Sequence, residues 1–264
     1  FSTFRFDRNR QTSIASNMVL ATYEDSDNNF WVGTSAGLQI FNSEYNTFTK
    51  VPLNDEGVPG SDQHISTISE IETGGARKIL VTTSGDGVYV LDGKTHGNDK
   101  DIQSSINSVL PSNFIYKAFV DSKERLWMSM EDGGLVVYDL KKGERISAIW
   151  EKGMKEAEND LFNAFIEDNE TGNIFIGSFN HGILIYDAEE GHIRKALNSS
   201  ARNSRVFSFL RNNITPQQGY NTYLAGLENE GIKMFDPAEE SLKDIRISNI
   251  PHNISSWKVH NLIE

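Results

Sequence analysis

Along residues 19–51, apolar and β-branched side chains gather in four short runs: Val19 to Tyr23, Phe30 to Val32, Leu38 to Phe41 and Thr47 to Val51. Asp, Asn, Ser or Gly separates each run from the next, and runs of this kind between turn residues predict short strands joined by tight connections. The same texture continues to the end of the chain. No segment holds a helical period over a window of about eleven residues, and 154–158 has room for one helical turn at most. The predicted class is all-β.

The four-run unit is a repeat. Glu24, Asp25, Phe30, Trp31, Gly33, Gly37 and Phe41 return as Val120, Asp121, Leu126, Trp127, Ser129, Gly134 and Tyr138, and again as Glu167, Asp168, Ile174, Phe175, Gly177, Gly182 and Tyr186. Weaker copies surround Leu80 to Asp92 and Leu224 to Asp236. The recurring glycine falls at 37, 87, 134, 182 and 231, at spacings of 50, 47, 48 and 49 residues. That period suits a four-stranded propeller blade and is too long for most solenoid units. Glycine is expected there because the turn from second to third strand often needs positive φ. The predicted architecture is a partial β-propeller of five complete four-stranded blades, in units 11–57, 58–108, 109–154, 155–199 and 200–250. The flanks 1–10 and 254–264 read as strands of neighbouring blades: 3–6 resembles the fourth strand at 46–50, and 257–264 resembles the first strand beginning at Asn17.

Composition narrows the partners. A formal net charge of -12, from 25 Lys+Arg against 37 Asp+Glu, repels phosphate backbones and anionic headgroups, so nucleic acid is not expected. No apolar stretch is long enough to span a bilayer, and no charged-then-apolar leader opens at Phe1. With no cysteine there are no disulfides or thiolate metal sites, and the redox compartment stays open. His64, His96, His181, His192, His252 and His260 form no close pair with ligand spacing. Asp25, Asp121 and Asp168, one per turn on separate blades, are expected to bond their own turn amides rather than converge on an ion. Trp31, Trp127 and Phe175 share one repeat position and are expected to pack between blades. There is no nucleophile elbow, Walker loop or His-Glu-x-x-His, so no catalytic residue, metal or cofactor is assigned.

These residues resemble the two-component-regulator propeller repeat, with its Glu-Asp turn, Leu-Trp-Ile-Gly-Thr strand, Gly-Gly-Leu and Tyr-Asp. Residues 17–41 match it nearly completely, and the copies around Trp127 and Phe175 match well. The resemblance implies a periplasmic sensor domain of a Bacteroidetes hybrid two-component system, detecting a glycan fragment and signalling to a histidine kinase outside this chain. It also implies a seven-bladed parent ring and adjoining blades and signalling domains as partners. Homodimerisation stays open. Two other classes remain at this level: a propeller enzyme such as a polysaccharide lyase, glycosidase or lactonase, and a protein-interaction scaffold.

Repeat geometry places the candidate site. The lead-in to each first strand and the turn between second and third strands are expected on one face. The lead-in positions are Asn17, Gln63, Asn113, Asp160, Ser204 and Trp257, and the turns add Asp86, Asp132, Asn180, His181, Asn229 and Glu230. Asn17, Gln63, Asn113, Asp160, His181, Ser204 and Trp257 form the predicted binding set for an oligosaccharide or other small polar ligand, with Trp150 and Tyr116 as further stacking surfaces. Asn and Ser at such positions also commonly satisfy local backbone groups.

Overall fold

Strand pairing follows the repeat closely. In a computed structural model of the chain, which describes residues 2–53, 63–196, 205–212 and 222–245, the polypeptide divides into two units. The first comprises Phe1–Glu131 and Val136–Ile146, and the second Asp132–Leu135 and Ser147–Glu264.

In the first unit, β1 (Val19–Glu24), β2 (Phe30–Thr34), β3 (Gly37–Asn42) and β4 (Thr47–Val51) form an antiparallel sheet in sequence order. β5 (Ile65–Thr73), β6 (Ala76–Thr83) and β7 (Val88–Asp92) make a three-stranded sheet followed by a helix, α1 (Lys100–Asn107). β8 (Ile115–Val120), β9 (Arg125–Met130), β10 (Leu135–Asp139) and β11 (Glu144–Ile146) form the next four-stranded sheet. The second unit holds two more: β12 (Phe162–Glu167), β13 (Ile174–Ser178), β14 (Ile183–Tyr186) and β15 (Ile193–Lys195), then β16 (Val206–Arg211), β17 (Tyr223–Leu227), β18 (Gly231–Asp236) and β19 (Ser241–Asp244).

Four of the five expected blades are therefore four-stranded, and the second is not. Its missing fourth strand is replaced by groups that satisfy the outer edge of β7. Asp99 donates its backbone N–H to Val90 O at 2.7 Å, and Leu91 bridges Asn98. The Asn107 side chain accepts from Val88 N and donates to Val88 O, both at 2.9 Å. An unpaired strand edge leaves backbone groups unsatisfied, and this amide supplies both bonds at Val88 that a fourth strand would have made. Asp99 caps α1 by accepting from Ile102 N, while Ile106 is fully buried against the core of Val88, Val90, Ile115 and Met130. Eight residues are too few for the helical period to stand out. The single turn expected at 154–158 appears as a 3-10 turn at Ala157–Asn159.

The flanks also depart from expectation. Residues 2–6 form no strand; Phe4 packs edge-on against Phe41 and Phe48 at 5.0 and 5.4 Å, and Thr12 O takes the Phe48 N–H at 2.9 Å. Ring packing, not a ladder, holds this segment. The strand expected within 254–264 lies outside the described residues.

Two devices recur from blade to blade. The turn Asp accepts amides of its own turn and one donor from the core: Asp25 takes Asp27 N, Asn29 N and Trp31 Nε1, the last at 2.7 Å, and Asp121 takes Lys123 N, Arg125 N and Trp127 Nε1 at 2.9 Å. Phe175 has no side-chain N–H, and here Tyr223 OH from β17 donates to Asp168 at 2.8 Å. Burial alone would raise Asp25 and Asp168, but these bonds prevail and hold both carboxyls below their usual range. The second device is a small residue on the second strand. A Cβ on Gly33 would lie 2.5 Å from Ile65 Cγ2, and one on Gly177 2.9 Å from Val206 Cγ1. Each next blade thus seats an apolar side chain of its first strand directly on glycine.

Candidate functional site

In every blade the residue after the second strand donates its backbone N–H to the residue before the first: Ser35 to Met18, Ser84 to His64, Glu131 to Phe114, Phe179 to Leu161 and Glu228 to Arg205, at 2.9 to 3.1 Å. One step upstream of each acceptor stand Asn17, Gln63, Asn113, Asp160 and Ser204, so the expected lead-in register is the structural one. The turns meet these lead-ins. Asn113 O accepts from Gly85 N and Gly87 N at 3.0 and 2.9 Å, and Asp160 O accepts from Gly134 N at 2.9 Å. All five repeat glycines have φ between +68° and +109°, a region that disfavours a Cβ.

The lead-in side chains divide by what they touch. Asn17 accepts from Phe6 N at 2.8 Å, and buried Gln63 donates to Tyr89 OH at 3.1 Å, so both serve local structure. Asn113 is exposed. Ser204 and Trp257 lie outside the described residues. Among the turn residues, Glu230 is paired with Lys233 at 2.7 Å. Trp150 is not a free platform: it bridges Ile193 and stacks on Phe162, ring centroids 6.0 Å apart.

Asp160 and His181, 21 residues apart, are brought together. Asp160 Oδ1 accepts from Leu161 N and Asn180 Nδ2, both at 2.8 Å, while Oδ2 accepts from Asn180 N at 2.9 Å and His181 Nδ1 at 2.8 Å. The carboxylate side chain is 1% exposed. Burial by itself would raise its pKa, but the His181 bond and the amide bonds outweigh burial and hold it below the usual range. A carboxylate can only accept, so Nδ1 of His181 carries the hydrogen. In the neutral ring Nε2 is then an acceptor, and it has no partner among the described residues.

Beside this pair, Asn180 is exposed, and Phe179 lies under the Arg205 guanidinium at 3.6 Å; Arg205 also pairs with Glu228 at 3.1 Å. The cluster thus offers acceptors at His181 and Asn180 and donors at Arg205, the mixture that hydroxyl groups need. It holds no activated nucleophile: Ser178 Oγ accepts from the backbone N–H of His181 at 2.7 Å, not from its ring. Among the described residues no group of three or more His, Asp or Glu is placed to hold a metal ion.

Some polar residues escaped the sequence reading. Phe179 and Arg205 flank predicted positions. Asn163 and Ser208, on first strands of the second unit, are buried, with Asn163 Oδ1 and Ser208 Oγ unpartnered among the described residues. Lys117, on β8, stands where other blades carry small side chains. A column-by-column comparison of first strands would have exposed it.

Residues 13–36 match the family described as Two component regulator propeller. No curated protein matches the chain. Among solved structures, the extracellular domain of BT3049 from B. thetaiotaomicron, described as a hybrid two component system, is 21% identical, with a TM-score of 0.67 over 96% of this chain and 32% of its own. The extracellular domain of BT4673 from the same organism, also described as a hybrid two component system, gives 14% identity and a TM-score of 0.70 over 97% and 32%. The beta-propeller domain of Cps50 (Swd1) from Myceliophteria thermophila gives 14% and 0.57 over 84% and 65%. The chain spans about a third of the two extracellular domains, 32% of each. The likeness shows the fold, a β-propeller. Among the described residues no helix is long and apolar enough to cross a membrane.

Proposed function

We propose that the chain is part of the ligand-sensing propeller of a hybrid two-component regulator, that it lies in the periplasm, and that it binds an oligosaccharide or similar polar ligand whose arrival is signalled to a kinase elsewhere in the protein. The observation that carries the binding reading is the Asp160, Asn180 and His181 cluster. A buried, four-bonded carboxylate orients a mostly buried imidazole, 17% exposed, whose Nε2 in the neutral ring is an acceptor with no partner among the described residues, beside an exposed amide. Such an arrangement pre-organises polar groups for hydroxyl recognition, while the same carboxylate also satisfies the backbone N–H groups of Leu161 and Asn180. The regulator-type repeat and the described roles of two structural neighbours support the sensory context. Binding without turnover is favoured because the Asp160 and His181 pair addresses no nucleophile.

The test is calorimetric titration of a panel of oligosaccharides into the full receptor ectodomain and its His181→Ala and Asn180→Ala forms, with product analysis of the same mixtures. Each lost hydrogen bond is worth about 1 kcal/mol, so each variant should weaken binding by roughly 5-fold. Unchanged affinity in both, with ligand located elsewhere, refutes the site. Turnover above a buffer control would replace the sensor with an enzyme.

A further inference from the structure

The lead-in to the first blade is basic in an acidic chain. Residues 5–16 hold Arg5, Arg8 and Arg10 against Asp7 alone, while the protein as a whole carries 37 acidic and 25 basic side chains. The segment forms no strand, yet its backbone is fastened. Asp7 N donates to Ser13 Oγ at 3.1 Å, and Ser13 Oγ donates back to Asp7 O at 3.0 Å, closing a loop at its base. Within the loop Arg10 N donates to Asp7 O and Ser13 N to Arg10 O, at 3.1 and 3.0 Å. Gln39, fully buried on β3, anchors its end by accepting from Ala15 N at 2.6 Å and donating to Ser13 O at 3.1 Å. Two residues after the repeat glycine, where Gln39 stands, β10 carries Val136 and β14 carries Leu184. The third strand therefore accepts an apolar side chain at this position, and the amide in the first blade serves the loop.

Between this loop and β4 lies a cavity of about 550 Å3, lined by Arg8, Arg10 and Lys50 with Asp7 as its single carboxylate, and by the buried apolar side chains of Ile14 and Phe48. A second cavity, of about 260 Å3, shares Arg10 and adds Arg5. Arg10 Nε is fixed by Thr12 Oγ1 at 3.2 Å, which leaves both of its terminal NH2 groups without a partner among the described residues. None of Arg5, Arg8, Arg10 and Lys50 has an ion pair among those residues. Elsewhere Arg77, Lys78, Arg194 and Lys233 each lie within 3.2 Å of a carboxylate. Like charges gathered around one cavity repel, and an anion seated among them relieves that repulsion.

We propose that this cavity binds an anionic ligand carrying at least two carboxylate or sulfate groups, held by Arg8, Arg10 and Lys50. The planar guanidinium matches either oxyanion through paired N–H donors, and the lysine adds a point charge. The site lies in the first unit, shares no residue with the Asp160 cluster and takes a charged ligand, so either reading can fail without the other.

The test is calorimetric titration of the full ectodomain with trigalacturonate, which carries carboxylates, with sucrose octasulfate, which carries sulfates, and with sucrose, which carries neither. One or both anions should bind, more weakly as sodium chloride is raised. Their affinity should fall about 5-fold in Arg8→Gln and in Lys50→Gln, and further in the triple variant with Arg10→Gln, while any binding of sucrose stays the same. Lys94→Gln, which removes an exposed cation outside both cavities, should bind as wild type does. Binding of trigalacturonate alone selects a carboxylate ligand, and of sucrose octasulfate alone a sulfated one. Binding of neither anion, anion affinity unchanged in the triple variant, or an equal loss in Lys94→Gln overturns the site. The substituted side chains are exposed, so the triple variant should melt no lower than wild type in anion-free buffer. A clearly lower melting temperature would show that the cations serve the fold, and would also overturn the proposal.

Discussion

Replacing Asp160 by Asn tests the cluster at its centre. The change keeps the shape and removes the charge, and its cost can be worked out atom by atom. Each carboxylate oxygen accepts one backbone N–H, from Leu161 on Oδ1 and from Asn180 on Oδ2, together with one side-chain donor. With its NH2 toward Leu161 N and Asn180 Nδ2 the new amide loses two of four bonds; turned the other way, the His181 ring can take the opposite tautomer and accept from it, so that at least the bond from Asn180 N is lost. Bonds to a charged acceptor are worth about 1.5–3 kcal/mol each, and the side chain is too buried for water to replace them. A loss of about 1.5–3 kcal/mol is expected, equivalent to a thermal midpoint lower by roughly 3–12 °C in a domain of this size. The pH dependence has a definite sign. The folded pKa of Asp160 is lowered from 3.8, so its contribution is complete above that value and is lost as pH falls through the folded pKa. The gap between wild type and Asp160→Asn should narrow as the pH falls below about 4. Urea denaturation followed by near-UV circular dichroism measures both. A cost under about 1 kcal/mol at pH 7, or a gap that widens as the pH falls below about 4, would refute the carboxylate-centred account.

Three other expectations concern the blades. Tyr223→Phe removes the hydroxyl that replaces the missing indole donor at Asp168 and should cost about 1.5–3 kcal/mol in urea denaturation. Gly177→Ala forces a Cβ to 2.9 Å from both Val206 Cγ1 and Val206 O, and should cost about 1–3 kcal/mol. Val206→Ala should relieve it only in part, because the backbone oxygen remains; full recovery in the double variant's melting curve would contradict the geometry. Asn107→Ala exposes both Val88 backbone groups that the missing fourth strand would have paired, so hydrogen exchange at Val88 should accelerate by roughly 10-fold or more while protection within β9 persists.

Much of this protein was legible in one dimension because a repeat states its own alignment. Gly37, Gly87, Gly134, Gly182 and Gly231 marked five equivalent turns, and positive φ at each is a local requirement that sequence expresses directly. The lead-in positions followed from the same register, and the backbone bonds from Ser35 to Met18 through Glu228 to Arg205 place them as expected. Local chemistry also announced the Asp turns. Sequence could not say which lead-in side chains are free, since Asn17 and Gln63 are consumed by Phe6 and Tyr89, partners that only folding brings near. Nor could it say that Phe175 borrows a donor from Tyr223 on the next blade, or that an eight-residue helix and one asparagine would stand in for a strand. Those outcomes depend on contacts between residues far apart in sequence, and competition for hydrogen bonds there is settled by three-dimensional proximity. The pairing of Asp160 with His181 lies between the two cases: repeat geometry put both on one face, and tertiary structure alone set the 2.8 Å that makes them one site.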